Sequence, residues 1–395
     1  MDGVLATTAR ELNEIVERVR EAGSLAFDLE FVPEGRYIPE LALVQVAWGN
    51  PDEPDLAAID PLEVDVAPFA ELVADEGIET IAHAAQADLA ILAGSYETQG
   101  RAVIDTQIAA AFAGFGDQIG YAALVQSTLG VRLHKGSQYT EWLRRPLSRK
   151  QLAYALDDVR YLGRVWGELR TRLDGERLAW AIEECERLAA TAWRRPTPGE
   201  SYRRVKGWSR LNARERGALR ELAAWREREA LRANRPPSRV LNDRSMLELA
   251  RTGATSEDGL RAVRGVDEGV VRRHGRRLLT AIEEGAANPP EREPSRAPLA
   301  PAGDVWAAAL HGLVRALALE AGVAPRFLGP RSEIEAVVRW WIEGDREAPP
   351  PLPLLDGWRG RLAGDAILAW LGGEAALVAD PASEAGVRLE PRTQR

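Results

Sequence analysis

Two carboxylates lie close together near the start of the chain, in the segment SLAFDLEFV at residues 24–32. Asp28 and Glu30 are two residues apart, and in a β-strand such residues point to the same face of a sheet. The alternating apolar side chains predict that the other face of this strand lies in a core. Carboxylates in such a strand need a compensating charge, and Mg²⁺ or Mn²⁺ prefers oxygen ligands of this kind. The alternative is an edge strand with a solvated acidic face, and the pair alone does not decide between the two.

Three further polar side chains extend this candidate site. Asp88 lies in IAHAAQADLAIL on a predicted helix, where by itself it would be an ordinary exposed carboxylate. Tyr154 and Asp158 lie in QLAYALDDVRYL, and their spacing of four places them one above the other on a helix. Taken alone, this pair is also expected at the surface. His83 is expected to be a core or capping histidine rather than a metal ligand.

The elements that must position these side chains alternate between strand and helix. Helices are predicted from Asp88, from Gln107 and from Tyr121, and one long amphipathic helix is predicted over residues 148–172 with Ser148 as its N-cap. A mixed sheet with helices on its faces fits this order. The predicted strands are residues 24–32, 41–48, 57–60, 80–83 and 103–106.

The composition excludes several classes of protein. The chain has 395 residues, of which 45% are apolar and 28% charged, as in a globular protein of two or three domains. It has no apolar run long enough to span a membrane and no signal-peptide pattern at its N-terminus. Its single cysteine, Cys185, excludes a disulfide framework and a cysteine zinc site. We therefore expect a cytoplasmic protein. No feature of the sequence indicates an oligomer or an obligate protein partner, so a monomer is the default expectation. The net charge of −9 argues against a protein that coats nucleic acid nonspecifically.

Two linkers divide the chain. Residues 194–209 are rich in Pro, Gly and Arg, and residues 286–303 show no periodicity. Between them the pattern is helical and locally basic, and beyond the second linker it is helical again. The predicted units are an α/β domain at 1–195, all-α domains at 210–287 and 303–374, and a frayed tail at 375–395.

The order of the motifs resembles that of a known enzyme superfamily. The chain has DxE on the acidic strand, then an Asp after a middle strand, and then YxxxD on a late helix. This order resembles the tyrosine-bearing subgroup of the DEDD 3′–5′ exonucleases. Three longer segments are similar to bacterial ribonuclease D, namely LAFDLEFVPEGRYIPELALVQVA, IDTQIAAAFAGFG and GYAALVQSTLGVRLHKG. Residues 212–285 resemble an HRDC (helicase-and-RNase-D C-terminal) domain, and residues 305–373 resemble the second HRDC-like domain of that family. The resemblance implies a ribonuclease-H-like α/β exonuclease domain followed by two all-α HRDC-like domains.

The resemblance also implies a mechanism. Asp28, Glu30, Asp88 and Asp158 would hold two divalent metal ions, Mg²⁺ or Mn²⁺, and Tyr154 would orient or help to deprotonate the attacking water. The implied reaction is hydrolysis of RNA from a free 3′ end to nucleoside 5′-monophosphates. Its implied role is the 3′ maturation of tRNA precursors and other small stable RNAs.

Side chains that contact RNA are harder to assign. Aromatic rings stack on bases, and cationic side chains follow the phosphates. Core packing explains the tryptophans equally well, and a solvated helix face explains the arginines of residues 272–277. The candidates are Trp48, His134, Lys135, Tyr139, Trp142, Arg144, Arg145, Arg272, Arg273, Arg276 and Arg277.

Two other functions stay open. One is a DNA 3′–5′ exonuclease that uses the same acids, although the HRDC-like pair favours RNA. The other is a noncatalytic RNA-binding scaffold on an exonuclease fold. Such a scaffold would be expected to lack one of the four acids or the tyrosine, and all five are present.

Overall fold

The acidic strand at residues 24–32 lies inside a six-stranded mixed sheet in the computed structural model of the chain. The structure describes residues 4–133, 141–192, 197–290, 298–344, 346 and 349–392. The strands of this sheet are β1 (Val4–Ala6), β2 (Ser24–Val32), β3 (Glu40–Trp48), β4 (Asp55–Ile59), β5 (Glu79–Ala82) and β6 (Val103–Asp105).

The strand order makes β2 a central strand. The order is β1-β4-β3-β2-β5-β6, with β2 antiparallel to β3 and parallel to β5. Because both sides of β2 are hydrogen-bonded, the alternative of an acidic edge strand is wrong. The predicted alternation is confirmed, since Leu25, Phe27 and Leu29 enter one core and Ala26 enters the core on the other face.

Helices cover both faces of this sheet. Residues of α1, α2 and α3 pack with Phe27 on one face, while α4 to α7 cover the face that carries Asp28 and Glu30. The predicted mixed sheet with flanking helices is therefore confirmed. The helices are α1 (Ala9–Ala22), α2 (Ala67–Val73), α3 (Gln86–Tyr96), α4 (Thr106–Phe112), α5 (Tyr121–Leu129), α6 (Arg149–Arg160), α7 (Leu162–Arg172) and α8 (Gly175–Ala192).

The single long helix predicted over residues 148–172 is wrong, because it is divided into α6 and α7. Its start is as predicted, with Ser148 as N-cap in a capping box with Gln151. At the division, the Tyr121 hydroxyl donates to the Asp157 carbonyl (3.1 Å) and accepts from the Tyr161 N–H (3.2 Å). This hydroxyl replaces one hydrogen bond of the helical ladder, and such insertions are a known cause of helix breaks.

The basic segment after the first linker folds around two long antiparallel-packed helices. Asn212 caps the first of them in a capping box with Glu215. Gly217 and Gly285 let the two helices touch, since a Cβ at Gly217 would lie 1.9 Å from the Gly285 carbonyl oxygen. The helices are α9 (Ala213–Arg232), α10 (Pro237–Val240), α11 (Asp243–Thr252), α12 (Glu257–Arg261) and α13 (Glu268–Ala287).

The last segment is helical and closes with a strand hairpin. The expected frayed tail after residue 374 is wrong, because two antiparallel strands form there and Leu377 and Leu389 pack on the neighbouring core. Alternation within these strands is weak, so the sequence pattern did not reveal them. The elements are α14 (Pro301–Glu320), α15 (Arg331–Glu343), α16 (Gly357–Arg359), α17 (Asp365–Leu371), β7 (Ala375–Ala379) and β8 (Val387–Pro391).

Both helical segments contact the α/β segment. The Tyr37 hydroxyl, in the loop after β2, donates to Glu227 of α9 (2.9 Å). On the other side, Phe112 of α4 packs against the Trp358 ring, and Arg359 forms an ion pair with Glu184 of α8 (2.6 Å). Both members of this ion pair are buried. None of the helices in the described ranges is both long and apolar enough to cross a membrane.

Candidate active site

The face of β2 that looks toward α6 carries the first two acids. Asp28 pairs with Gln45 of β3 and Glu30 pairs with Leu43, and both carboxylates are half-buried. The register shifts by one residue directly after Glu30. This bulge ends the regular pairing beside the acids, and bulges are frequent next to active sites.

Helix α6 brings the third acid onto the same face. Ala155, Leu156 and Val159 anchor this helix on β2 and β3, which turns Tyr154 and Asp158 toward the acidic strand. Carboxylate oxygens of Asp28, Glu30 and Asp158 all lie within 4.8 Å of one another. The acidic pair of β2 and the acid of α6 therefore lie together in one cluster.

Asp88 reaches the site from α3 and is buried, with 5% of its surface exposed, rather than exposed as its local sequence indicated. It lies in the first turn of the helix. The turn before this helix is held by Asp105, whose carboxylate accepts the N–H groups of Ala84 (3.0 Å) and Ala85 (2.9 Å). Asp88 is outside the group of three close carboxylates, yet its charge is one of the causes that raise the pKa of Asp28.

Burial and mutual repulsion shift all four acids in the same direction. Burial, reinforced by the charges of Asp158 and Asp88, raises the pKa of Glu30 to about 8. Burial raises the pKa of Asp88 to about 7 with the help of Asp105, and that of Asp158 to about 7 with the help of Asp157. The pKa of Asp28 lies well above its usual range, first through burial and then through the three neighbouring acids.

A cation is the natural complement of these four acids. Within the described part of the chain, no Arg, Lys or His side chain forms an ion pair with any of them. A set of carboxylate oxygens in a poorly solvated pocket suits a hard divalent ion such as Mg²⁺ or Mn²⁺. The residues present therefore fit the divalent metals that the sequence predicted.

Tyr154 lies at the edge of the acidic pocket. Burial and the negative charges of Asp158, Glu30 and Asp28 raise the pKa of its phenol to about 12. At neutral pH the hydroxyl is therefore protonated and serves as a hydrogen-bond donor or acceptor rather than as a free base. His83 is placed differently, because its two ring nitrogens lie 3.0 Å from the Thr106 hydroxyl and 3.1 Å from the Ile119 carbonyl oxygen. This agrees with the predicted capping or core role.

Several predicted RNA contacts are corrected by the structure. Trp142 and Trp48 are core residues, with 4% and 8% of their surfaces exposed, so neither ring is available to stack on a base. Arg145 is engaged within the protein, as its guanidinium N–H groups donate to Asp60 and to three backbone carbonyls. Arg144 has 80% of its side chain exposed and stays a prediction. His134, Lys135 and Tyr139 lie outside the described residues.

The arginines at 272, 273, 276 and 277 are exposed on α13. Arg277 approaches Glu229 of α9 at 3.6 Å, and the Arg273 Nε donates to the Gly269 carbonyl (3.1 Å). An exposed basic helix face agrees both with RNA contact and with simple solvation, so a role in RNA binding stays a prediction.

Three residues near the site were missed from the sequence. Asp105 ends a buried strand directly before a helix, which is an N-cap signal, and it accepts from Gln107 as well as from the turn before α3. Tyr121 and Gln45 carried no comparable signal. Their positions depend on contacts between segments that are far apart in the chain.

Comparison with known proteins agrees with this geometry. A model of the 3′-5′ exonuclease family matches residues 4–174, and a model of the HRDC domain matches residues 215–282. Ribonuclease D of Gluconacetobacter diazotrophicus is 37% identical, over 96% of this chain and 95% of the relative. Ribonuclease D of Acidiphilium cryptum is 37% identical, over 95% of each chain. The chain belongs to the ribonuclease D family.

A solved structure of Escherichia coli RNase D supports the same assignment. It covers 94% of this chain and 99% of its own, with a TM-score of 0.80 and 29% identity. A protein from Bifidobacterium adolescentis, at 21% identity and a TM-score of 0.64, shares the fold. As a member of the ribonuclease D family, the chain is a 3′–5′ exoribonuclease that depends on divalent metal. The predicted family, fold class and exoribonuclease activity are confirmed. The alternative hypotheses of a DNA exonuclease and of a noncatalytic scaffold are therefore set aside.

Proposed function

We propose that Asp28, Glu30, Asp88 and Asp158 hold two divalent ions, Mg²⁺ or Mn²⁺, and that the enzyme releases nucleoside 5′-monophosphates from the 3′ end of RNA. The observation that carries this proposal is the convergence of acids from β2, α3 and α6 with no protein cation paired to them in the described ranges. Two ions bound there would activate a water for attack and stabilise the leaving 3′-oxygen.

The positions of the side chains support distinct roles. Asp28 is the central acid, because the charges of Asp88, Asp158 and Glu30 all act on it, and it is the natural residue to serve both ions. Glu30 and Asp158 would complete the half of the site nearest the nucleophile, while Asp88 would support the other half. Tyr154 keeps its proton at neutral pH and would orient the attacking water through its hydroxyl.

The substrate that we propose is RNA with a free 3′ end, with tRNA precursors and other small stable RNAs as the natural class. The Escherichia coli relative is described as an exoribonuclease involved in structured RNA processing, which supports an RNA with secondary structure near its end. The two HRDC-like units proposed at 210–287 and 303–374 contact the α/β segment, the first through Glu227 and Tyr37 and the second through Arg359 and Glu184 of α8. We further propose that the enzyme acts in the cytoplasm as a monomer without an obligate protein partner.

The experiment that tests this proposal follows a 5′-labelled single-stranded RNA in Mg²⁺, in Mn²⁺ and in EDTA. A DNA strand and an RNA with a 3′-phosphate are the parallel substrates, and a tRNA with a 3′ extension is compared with its mature form. We expect a metal-dependent ladder that shortens from the 3′ end, is weak on DNA and stops near the mature tRNA end. Equal cleavage in EDTA, or shortening from the 5′ end, would contradict the proposal.

A further inference from the structure

Gln45 is a buried amide beside the central acid of the site. It lies on β3 and is completely buried, with 0% of its surface exposed. Neither its Nε2 nor its Oε1 has a hydrogen-bond partner among the residues that the structure describes. An unpaired buried polar group destabilises a folded protein, so such a residue calls for a physical explanation.

The register of the sheet limits what this amide can reach. Gln45 is the direct cross-strand partner of Asp28 on one side and of Ala58 on the other. Its neighbours along the strand on the same face are Leu43 and Ala47. Opposite residues of an antiparallel pair have Cβ atoms about 4.5–5.5 Å apart, so their side chains interact. Among these four flanking positions, Asp28 alone carries a polar side chain.

The covering helix does not supply a partner either. Helix α6 packs on β2, β3 and β4, and its buried residues are apolar. Its polar residues Tyr154 and Asp158 face the acidic strand but form no hydrogen bond with Gln45. The Arg145 guanidinium, in the segment before α6, is committed to Asp60 and to backbone carbonyls. A fully buried amide cannot reach solvent, so the acids beside it are the remaining source of a partner among the described residues.

We infer that Gln45 is a positioning residue that donates a hydrogen bond from Nε2 to the Asp28 carboxylate when the acidic site holds metal. This inference rests on the proposed function. An ionised carboxylate has four lone-pair sites and only accepts hydrogen bonds, so an amide donor matches an oxygen that the metals leave free. The bond fixes the orientation of Asp28 from behind, as outer residues do for the ligands of other metal sites.

Replacing Gln45 should change the metal affinity and the stability of the metal-free protein in opposite directions. Replacing Gln45 by an apolar residue of similar size removes an unpaired amide from the metal-free protein, which should melt a few degrees higher. The same change removes a partner of a metal-binding acid, which should weaken metal binding roughly 10-fold to 100-fold. A residue with a merely structural role would not move the two quantities in opposite directions.

The test uses the full chain and Mn²⁺ as the probe. Wild type, Gln45→Leu, Gln45→Met and Asp28→Asn are compared by melting temperature in EDTA and by Mn²⁺ titration calorimetry. Trp166→Phe is the matched control, because its buried indole N–H also has no partner in the described ranges but lies in another part of the same core. We expect both Gln45 variants to melt higher without metal and to bind Mn²⁺ at least tenfold more weakly, while Trp166→Phe keeps its Mn²⁺ affinity.

Each other outcome has a defined meaning. Unchanged Mn²⁺ affinity in Gln45→Leu and Gln45→Met, with tight binding by wild type, overturns the inference and leaves the proposed function intact. A lower melting temperature of both variants in EDTA also overturns it, because Gln45 would then have a partner without metal. If wild type itself binds no Mn²⁺, or if Asp28→Asn binds it as tightly as wild type, the proposed metal site fails.

Discussion

Arg145 and Asp60 form a bidentate ion pair that closes the loop before α6 onto the end of β4. The Arg145 Nη2 donates to the Asp60 Oδ1 (2.7 Å) and its Nε donates to Oδ2. The same guanidinium donates to the carbonyl oxygens of Trp142, Arg144 and Ala42, and Ala42 lies at the bulge that follows Glu30. The ion pair therefore anchors the approach to α6, the helix that carries Tyr154 and Asp158.

Arg145→Met should destabilise the protein by roughly 3–5 kcal/mol, because it leaves the buried carboxylate of Asp60 without its partner. Chemical denaturation measures this change. The neighbouring Arg144→Met is the control, since the Arg144 side chain is 80% exposed and its pair with Glu141 spans 3.6 Å. We expect Arg144→Met to leave stability unchanged, and if Arg144 contacts RNA, to weaken RNA binding only. Equal stability of the two variants would contradict the anchoring role of Arg145.

Asp158→Asn should lower the rate of RNA hydrolysis by at least about 1000-fold, because it removes a charged ligand from the site in which charge stabilisation dominates. The adjacent Asp157→Asn is a matched control. Asp157 forms an ion pair with Arg160 (2.9 Å) and is 40% exposed, outside the close group of carboxylates. Single-turnover assays at saturating Mn²⁺ should show near-normal chemistry in Asp157→Asn. Similar losses of rate in both variants would mean that the total negative charge of α6 matters more than the position of Asp158 as a metal ligand.

Tyr154→Phe tests the role of the phenol. We expect the rate of the chemical step to fall roughly 100-fold to 10,000-fold. This is the typical effect of losing a side chain that assists proton transfer from the attacking water in the transition state. The affinity for Mn²⁺ and for RNA should change little, because the ring stays near Trp142 at the pocket edge. Rapid quench kinetics together with Mn²⁺ calorimetry separate the two effects. A tenfold loss of Mn²⁺ affinity with an unaltered chemical step would instead make Tyr154 part of the metal site.

The stability of the metal-free enzyme should fall as the pH rises. The folded protein raises the pKa of Glu30 to about 8 and those of Asp88 and Asp158 to about 7, all above their unfolded values. Groups shifted upward bind more protons in the folded state, so their contribution is complete below the ordinary carboxyl pKa and is lost as pH rises through about 7 to 8.

Melting temperatures in EDTA across pH 5 to 9 measure this loss, and Asp158→Asn should show a shallower decline. Added Mn²⁺ should reverse the trend, because it binds the deprotonated acids and its stabilisation grows over the same pH window. A metal-free protein whose stability is flat from pH 6 to 8.5, with no difference in Asp158→Asn, would show that burial and neighbouring charges do not raise the pKa values of these acids in the folded state.

Local spacing placed two pairs of candidate site residues on shared faces, whereas the family resemblance was needed to join them with Asp88 into one site. Residues two apart on a strand, or four apart on a helix, share a face of that element in any protein. Asp28 therefore had to share a face with Glu30, and Tyr154 with Asp158. The alternation around Asp28 also determined which side of β2 carries the large apolar side chains and which side carries the acids. These features depend only on the backbone period, which the sequence displays directly.

Other features were decided only when distant segments met. Tyr121 interrupts the helix predicted over residues 148–172, because its hydroxyl enters the ladder from α5. Arg145 became a structural anchor through Asp60, which lies 85 positions earlier in the chain. Gln45 has its unusual environment because of the β2–β3 register and the cover of α6. Hydrogen-bond satisfaction and burial belong to pairs of segments, and no local pattern carries them.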